Sequence, residues 1–280
     1  MDDSDIAHAI KINVTAALAE DLGSGDLTAQ LIPADQQTRA TLITREQAIL
    51  CGKPWFEACL KTLDPLMKIS WCAEEGDRVQ ANATLCEIQG NARALLSAER
   101  PALNFLQTLS AVATTTQQYV DAVVGTHAQI MDTRKTLPGL RIAQKYAVKI
   151  GGGINQRIGL FDGILIKENH IAAAGSIKAA LDAAQRKTGA DVSIQIEVES
   201  MDELQQALDA GAKLILLDNF SLEQMREAVQ LTQQRAALEA SGGITLDNVR
   251  AIADTGVTRI SIGGLTKHVR AIDLSLRIHN

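Results

Sequence analysis

The chain has 280 residues, a formal net charge of −6, 46% hydrophobic and 21% charged residues, a balance that describes a globular protein with one large core or two smaller ones. No basic run marks a nucleic-acid-binding face and no apolar stretch approaches the length of a membrane span. The acidic start MDDSDIAHAI lacks the basic beginning of a signal peptide, so a cytoplasmic protein is expected.

In chain order, the first candidate element is an amphipathic helix near Ile6–Leu22, with Ile10, Val14, Ala17 and Leu18 on one face and a stop at Gly23, where GSGD reads as a loop. Strand-like runs follow at 40–44 (ATLIT), 48–51 (AILC), 68–72 (KISWC) and 84–88 (TLCEI), with a helix after Pro54 between the second and third. This mixture fits a small α+β layer. A helical pattern then extends from Arg93 to Val123, and Pro101 inside it predicts a break or kink, because proline removes a backbone donor and crowds the preceding turn. Cys51, Cys59, Cys72 and Cys86 all fall in this first third, form no CxxC pair and have no histidines at zinc-ligand spacing; buried, reduced thiols are expected.

From about residue 127 the pattern becomes a regular alternation. Apolar strands are read at 128–131 (AQIM), 163–166 (GILI), 193–198 (SIQIEV), 214–217 (LILL), 236–240 (AALEA) and 259–262 (RISI), with helices such as Met201–Ala210, Leu222–Gln233 and Leu246–Thr255 in the gaps. Repeated β–α units imply parallel strands joined by right-handed crossovers. Six units in about 150 residues suit a (β/α) barrel, and a doubly wound open sheet is the alternative.

The strand ends carry the chemistry. Asp132-Thr133-Arg134-Lys135 follows the first strand, Lys167, Glu168, Asn169 and His170 the second, and Asp218-Asn219 the fourth. Glu197 and Glu199 close the third, Ser241-Gly242-Gly243 follows the fifth, and Gly263-Gly264 follows the sixth. In a barrel those ends converge on one mouth, where catalysis takes place. Arg134, Lys135, Arg141, Arg157 and Lys167 would repel one another there unless an anion joined them, and guanidinium suits carboxylate or phosphate. Each glycine pair precedes a helix in the last two strand–helix loops, where backbone amides reach a phosphate. Glu197 and Asp218 suit a Mg²⁺ held with a pyrophosphate, stabilisation of a developing positive charge on a ribose, or an ion pair with a lysine. GGGINQRIGL at 151–160 lacks the order of a dinucleotide fingerprint and reads as a close approach or a mobile loop. His170 reads as a structural hydrogen-bonder.

In their order the segments DTRKTLPGLR (132–141), KYAVKIGGGINQRIGLFDGILIKENHI (145–171), IEVES (196–200), ILLDNF (215–220), LEASGGIT (238–245) and GVTRISIGGLTKH (256–268) resemble the successive motifs of the quinolinate phosphoribosyltransferases, as do EDLGSGDLTAQLIP (20–33) and AERPALNFLQTLSAVAT (98–114). The resemblance implies an α+β open-faced sandwich domain (residues 1–110, with about 268–280 packing back on it) and an irregular, seven-stranded α/β barrel (111–267). It implies transfer of phosphoribosyl from phosphoribosyl pyrophosphate to quinolinate, with Mg²⁺, no organic cofactor, and homodimers or higher homo-oligomers that share active sites, with neither nucleic acid nor membrane as partner. Arg100 would reach across the subunit interface. Thr133, Arg134, Lys135, Gln156, Arg157 and Lys167 would bind quinolinate. Glu197 and Asp218 would face the ribose and metal. Ser241, Gly242, Gly243, Gly263, Gly264 and Lys267 would hold phosphate, and Lys135, Lys167, Glu197 and Asp218 would be catalytic. Three positions depart from the family pattern: Gln156 stands where His is usual, Gly264 where Ala is usual, and Pro101 follows Arg100 where Thr or Ser is common. Glutamine donates a hydrogen bond but cannot carry a proton's charge. The competing readings are a molybdate-associated paralogue acting on another ligand, a barrel lyase using Lys167 as a Schiff-base amine, and a non-catalytic anion-binding protein.

Overall fold

The fold is seen in a computed structural model that describes residues 1–187, 189 and 192–279. The chain forms two compact units, each discontinuous in sequence: one comprises Met1–Gln117, Thr136–Gly152 and the residues from Gly264 on, the other Gln118–Lys135 and Gly153–Gly263.

The first unit opens with helix α1 (Asp3–Leu22), whose start is fixed by reciprocal bonds between Asp2 and Asp5 and whose end falls at Gly23 with φ 49°. Then come β1 (Gln37–Thr44), β2 (Ala48–Ile49), α2 (Lys53–Leu63), β3 (Lys68–Trp71), β4 (Arg78–Val79), β5 (Thr84–Asn91) and the long α3 (Ala92–Ala122). β1, β5 and β3 pair antiparallel, and the last strand of the chain, Leu274–His279, joins the free edge of β1. One face of this sheet buries Ala40, Leu42, Thr44, Cys86 and Ile88, while Arg39, Lys68, Ser70, Glu87 and Gln89 lie exposed on the other. That alternation is what one covered face and one wet face require. β2 pairs only with β4, a two-residue strand with no periodicity to reveal it.

Two sequence expectations are corrected here, a break at Pro101 and the burial of Cys72. α3 runs as one unbroken helix through Pro101. Ala98, Ala102, Leu103 and Leu106 are all buried around the proline, and packing on both sides holds the helix across one missing hydrogen bond. Cys72 is exposed, because the strand carrying Trp71 ends there, whereas Cys51, Cys59 and Cys86 are buried free thiols. Burial pushes the Cys59 thiol up to about 12.

The second unit contains β6 (Gln129–Met131) and, after α4 (Arg141–Ile150) of the first unit, β7 (Gly163–Ile166). It continues with α5 (Glu168–Ala174), α6 (Ile177–Lys187), β8 (Ser193–Val198), α7 (Met201–Asp209), β9 (Leu214–Asp218), α8 (Leu222–Thr232), β10 (Ala237–Ser241), α9 (Val249–Ala253) and β11 (Arg259–Ser261). Helix α10 (Gly264–Lys267) and strand β12 (Leu274–His279) complete the chain and belong to the first unit. The six strands are parallel in the order β6-β11-β10-β9-β8-β7. They follow chain order round with no reversal, as in a barrel; a doubly wound sheet would reverse. Among the described residues a seventh full strand is not formed. Its place beside β6 is taken by a single parallel bridge, Met131 to Ile154, and three residues on Arg157 donates to the Gly163 carbonyl of β7 at 3.0 Å. Residues 154–157 therefore span the gap between the edge strands. Glycines 151–153 precede this segment and offer no side chains for a strand ladder.

Side-chain parity organises this unit. Ile196, Val198, Ile215, Leu217, Leu238, Ala240, Ile260 and Ile262 are buried at alternate strand positions, the parity that packs against the helices. The other parity carries Gln195 and Glu197, Leu216 and Asp218, Glu239 and Ser241, and Ser261 and Gly263, which converge inside the strands. Glu197 pairs in register with Leu216, Leu216 with Glu239, and Asp218 with Ser241.

Candidate active site

The inward-facing parity carries acids, Glu197 and Asp218, to the C-terminal ends of β8 and β9. Lys167 follows β7 opposite Glu197 of β8, and its Nζ donates to the two carboxylate oxygens at 2.9 and 2.7 Å. The pair is lopsided: the lysine side chain is 44% exposed and the glutamate 9%, so the acid sits in the wall and the cation faces the opening. The backbone N–H of Lys167 donates to Nδ1 of His170 at 3.0 Å. His170 thus satisfies a donor at the start of α5, the structural role its position suggested.

Beyond β6, Thr133 Oγ1 accepts from the Lys135 backbone at 3.0 Å. Gly263, beyond β11, lies under the same lysine: a Cβ there would come within 2.9 Å of Lys135 Cδ and 3.5 Å of Thr133 Oγ1. Arg134 and Arg157 are electrostatic neighbours. Burial first, then the like charge of Arg134, holds the Arg157 guanidinium below its usual pKa, with Asp162 opposing. Asp162 also accepts from the backbone of Ile158 and Gly159 at 2.7 and 2.8 Å, closing the loop that carries Arg157.

On the opposite strands, Asp218 lies beside Asn219, whose Nδ2 donates to it at 3.1 Å and whose backbone donates to the Ser241 carbonyl at 3.1 Å. Gly242 has φ 100°, and a Cβ there would collide with Asn219 Oδ1. Only glycine allows that turn to close on Asn219. A helix does follow this glycine pair, but in place of the expected Leu246–Thr255 it starts only at Val249 and is five residues long. Any phosphate here would meet turn amides, not a helix terminus.

The strand ends of the second unit thus bring together Thr133, Arg134, Lys135, Gln156, Arg157, Lys167, Glu197, Asp218, Ser241, Gly242, Gly243 and Gly263. Arg100 (on α3), Arg141 (at the start of α4), Gly264 and Lys267 belong to the first unit. Gln156 also bonds within the protein. Its Nε2 donates to Glu239 Oε1 at 2.8 Å and lies 3.4 Å from Gln195 Oε1, within the barrel wall.

Two polar groups, Glu239 and Gln195, escaped the sequence reading, and Asp132 was read there only as part of the segment after the first strand. Asp132 is fully buried and accepts from Asn155 Nδ2 at 2.6 Å and from the Gln156 backbone at 2.9 Å. Glu239 and Gln195 are buried and joined by a 2.8 Å bond. For Glu239 and Gln195 the signal was present: each is a polar residue in an apolar strand, two positions before a residue at the mouth. No group of three or more His, Cys, Asp or Glu among the described residues is placed to hold a metal ion, and none of the described helices is long and apolar enough to cross a membrane.

Comparison with known proteins adds independent support. The family model for the N-terminal domain of quinolinate phosphoribosyl transferase matches residues 26–110, and that for the C-terminal domain matches 112–277. The chain is 42% identical over 278 residues to the nicotinate-nucleotide pyrophosphorylase [carboxylating] of Mycobacterium leprae, covering 96% of each. It is 41% identical over 259 residues to the probable enzyme of the same name from Bacillus subtilis, covering 92% of this chain and 90% of that one. The solved nicotinate-nucleotide pyrophosphorylase from Francisella tularensis superposes with a TM-score of 0.94 at 46% identity, covering 97% of this chain and 96% of that one. The chain belongs to the quinolinate phosphoribosyltransferase family.

Proposed function

We propose that the chain transfers phosphoribosyl from phosphoribosyl pyrophosphate to the ring nitrogen of quinolinate, releasing pyrophosphate and CO₂ and forming nicotinate mononucleotide on the route to NAD. Family membership and the printed activities of the relatives support it. The observation that carries it from this chain's own geometry is the placing of cationic side chains at the strand ends: Lys135 lies over Gly263, and Lys167 Nζ donates to both Glu197 oxygens at 2.9 and 2.7 Å. Clustered cations attract an anion, and a pyridine dicarboxylate supplies two negative groups at fixed spacing.

In this reading Arg134, Arg157, Lys135 and Lys167 orient the dicarboxylate so that its nitrogen faces the anomeric carbon. Ser241, Gly242, Gly243 and Gly263 take phosphate oxygens on backbone amides. As the bond to pyrophosphate breaks, positive charge grows on the ribose, and Glu197 and Asp218 on adjacent strands stabilise it. The pyridinium then accepts the electron pair left by CO₂, a proton replaces the carboxyl group on the ring carbon, and the cationic lysines stabilise the developing charge. Glu197 and Asp218 offer hard carboxylate oxygens of the kind Mg²⁺ takes, and fit an ion that arrives with the pyrophosphate group of the co-substrate. The functional unit in this reading is a cytoplasmic homodimer or higher oligomer, to whose sites Arg100, an exposed residue of α3, is contributed by the neighbouring subunit.

The Schiff-base alternative needs a lysine lone pair, yet Lys167 Nζ is committed to two carboxylate oxygens. Purified protein supplied with quinolinate, phosphoribosyl pyrophosphate and Mg²⁺ is expected to form nicotinate mononucleotide and CO₂ in equal amounts; absence of product rejects the assignment.

A further inference from the structure

Where the barrel lacks a ladder-forming strand, two buried carboxylates from other strands hold the chain in place. Asp132, just past β6, takes the Gln156 backbone N–H on Oδ1 at 2.9 Å and the Asn155 amide on Oδ2 at 2.6 Å. Glu239, in the middle of β10, takes the Gln156 side-chain amide at 2.8 Å and the Gln195 amide of β8 at 2.8 Å. Gln156 is therefore gripped at its backbone from one side and at its side chain from across the barrel. The next residue is Arg157, whose Nη1 reaches the Gly163 carbonyl of β7 at 3.0 Å. Asp132 can hold the backbone whatever side chain stands at 156, but Glu239 acts only through a donor at that position.

We propose that Glu239 is a positioning residue for recognition of the pyridine dicarboxylate: acting through Gln156, it fixes the turn that aims Arg157 beside Arg134. The inference rests on the quinolinate reading of the pocket. It assigns Gln156 a supporting role in place of direct contact with a substrate carboxylate. Phosphoribosyl pyrophosphate meets other strand ends, so loosening this turn affects the two substrates unequally. Burial of Glu239 strengthens the contact, because a donor lost there leaves a desolvated acceptor behind.

The test compares Gln156→Met, which keeps the length but removes the donor, with Gln156→His, which restores a ring N–H, and with Glu239→Gln. Gln156→Met and Glu239→Gln are expected to raise KM for quinolinate roughly tenfold, the loss of one hydrogen bond to a charged group, while KM for phosphoribosyl pyrophosphate moves less than about twofold. Gln156→His is expected to return most of the quinolinate affinity. Amide hydrogen exchange at residues 155–158 in ligand-free protein is expected to quicken in the first two variants and not in the third. Equal rises in both KM values, or an unchanged quinolinate KM, overturn the proposal. Should the wild type fail to turn over quinolinate, the functional reading falls, and the exchange experiment still decides the clamp: unchanged exchange in Gln156→Met overturns it.

Discussion

The side chain of Lys135 crosses directly over Gly263, at a distance where even a methyl group would press on it: a Cβ at 263 would meet Lys135 Cδ at 2.9 Å and Lys135 Cβ at 3.7 Å. The glycine is required by the lysine's path and not by its own backbone, since Gly263 is absent from the positive-φ residues. Lysine is flexible enough to swing away, so Gly263→Ala is expected to fold with little loss of stability. Displacing the ammonium by about an ångström should still lower kcat/KM by one to two orders of magnitude. Thermal unfolding and steady-state kinetics on the same preparation separate the two effects. A variant that loses both in proportion sinks the idea.

Gly242 makes the opposite case. Its φ of 100° and the collision of an added Cβ with Asn219 Oδ1 strain any other residue. Gly242→Ala is expected to cost about 1–3 kcal/mol in unfolding free energy. It should also weaken phosphoribosyl pyrophosphate more than quinolinate, because the turn amides move while the cationic strand ends do not. Denaturant titration gives the first quantity and separate KM values the second; wild-type stability would contradict the strain argument.

The Lys167–Glu197 pair spans two strands with unequal exposure, 44% and 9%. Lys167→Met leaves the glutamate oxygens in the wall without their donor, and Glu197→Gln leaves the ammonium without its acceptor. Each change is expected to lower kcat/KM by about two orders of magnitude or more, in keeping with loss of a preorganised charge from a reacting site. The double variant should lose much less than the product of the two, with a coupling of about 0.5–3 kcal/mol. Strict additivity would mean that the two side chains act independently.

Much of this was legible in the sequence, for reasons tied to particular residues. β7, β8 and the Asp218 strand end were found because buried parallel strands are continuous apolar runs bounded by polar residues, as in GILI before Lys167 and LILL before Asp218. β4 and β12 were not found: the first is two residues long, and the second alternates too weakly to outweigh the polar ending of the chain. The seventh strand implied by family resemblance shrinks to one bridge at Ile154, which only tertiary pairing reveals. At the site, the mouth residues were visible because they stand at strand ends. Glu239 was hidden by its neighbours: within AALEA it reads as one polar residue in an apolar run, and only period-two parity with Ser241 shows that it turns inward. The Gln156 loop was recognised in the sequence while its partner Glu239 was not.

Glu239 also sets a pH dependence. Burial pushes its carboxyl above the usual carboxylate range, opposed by the nearby Ser261 hydroxyl, by hydrogen bonds from Gln195 and Gln156 and by the charge of Arg259. An acid whose pKa is raised on folding holds its proton in the native state where the unfolded chain has released it. Across that interval the native state binds more protons, so stability is greatest on the acid side and falls as pH rises through the folded-state value. Glu239→Gln is expected to flatten this part of the profile and to show its largest relative stability gain at the alkaline end. Urea unfolding from the ordinary carboxylate range up to about pH 8 tests it. Parallel profiles for the two proteins would show that Glu239 titrates alike in both states.

The crowded guanidiniums predict how ligands alter stability. Burial and the like charge of Arg134 hold the Arg157 pKa down, so a dianion bridging the two guanidiniums is expected to offset their repulsion. Quinolinate at about a hundred times its Kd should add about 2.7 kcal/mol to unfolding free energy, enough to raise Tm by several degrees. Nicotinate, with one carboxylate, engages one arm of the pair and should shift Tm far less at equal concentration. The difference between the two ligands should shrink in high salt, since part of it is Coulombic and partly exposed. Arg157→Met should abolish the difference while leaving the phosphate-bearing co-substrate able to stabilise the protein. Equal shifts from quinolinate and nicotinate in the wild type would mean that the two guanidiniums do not act on one ligand.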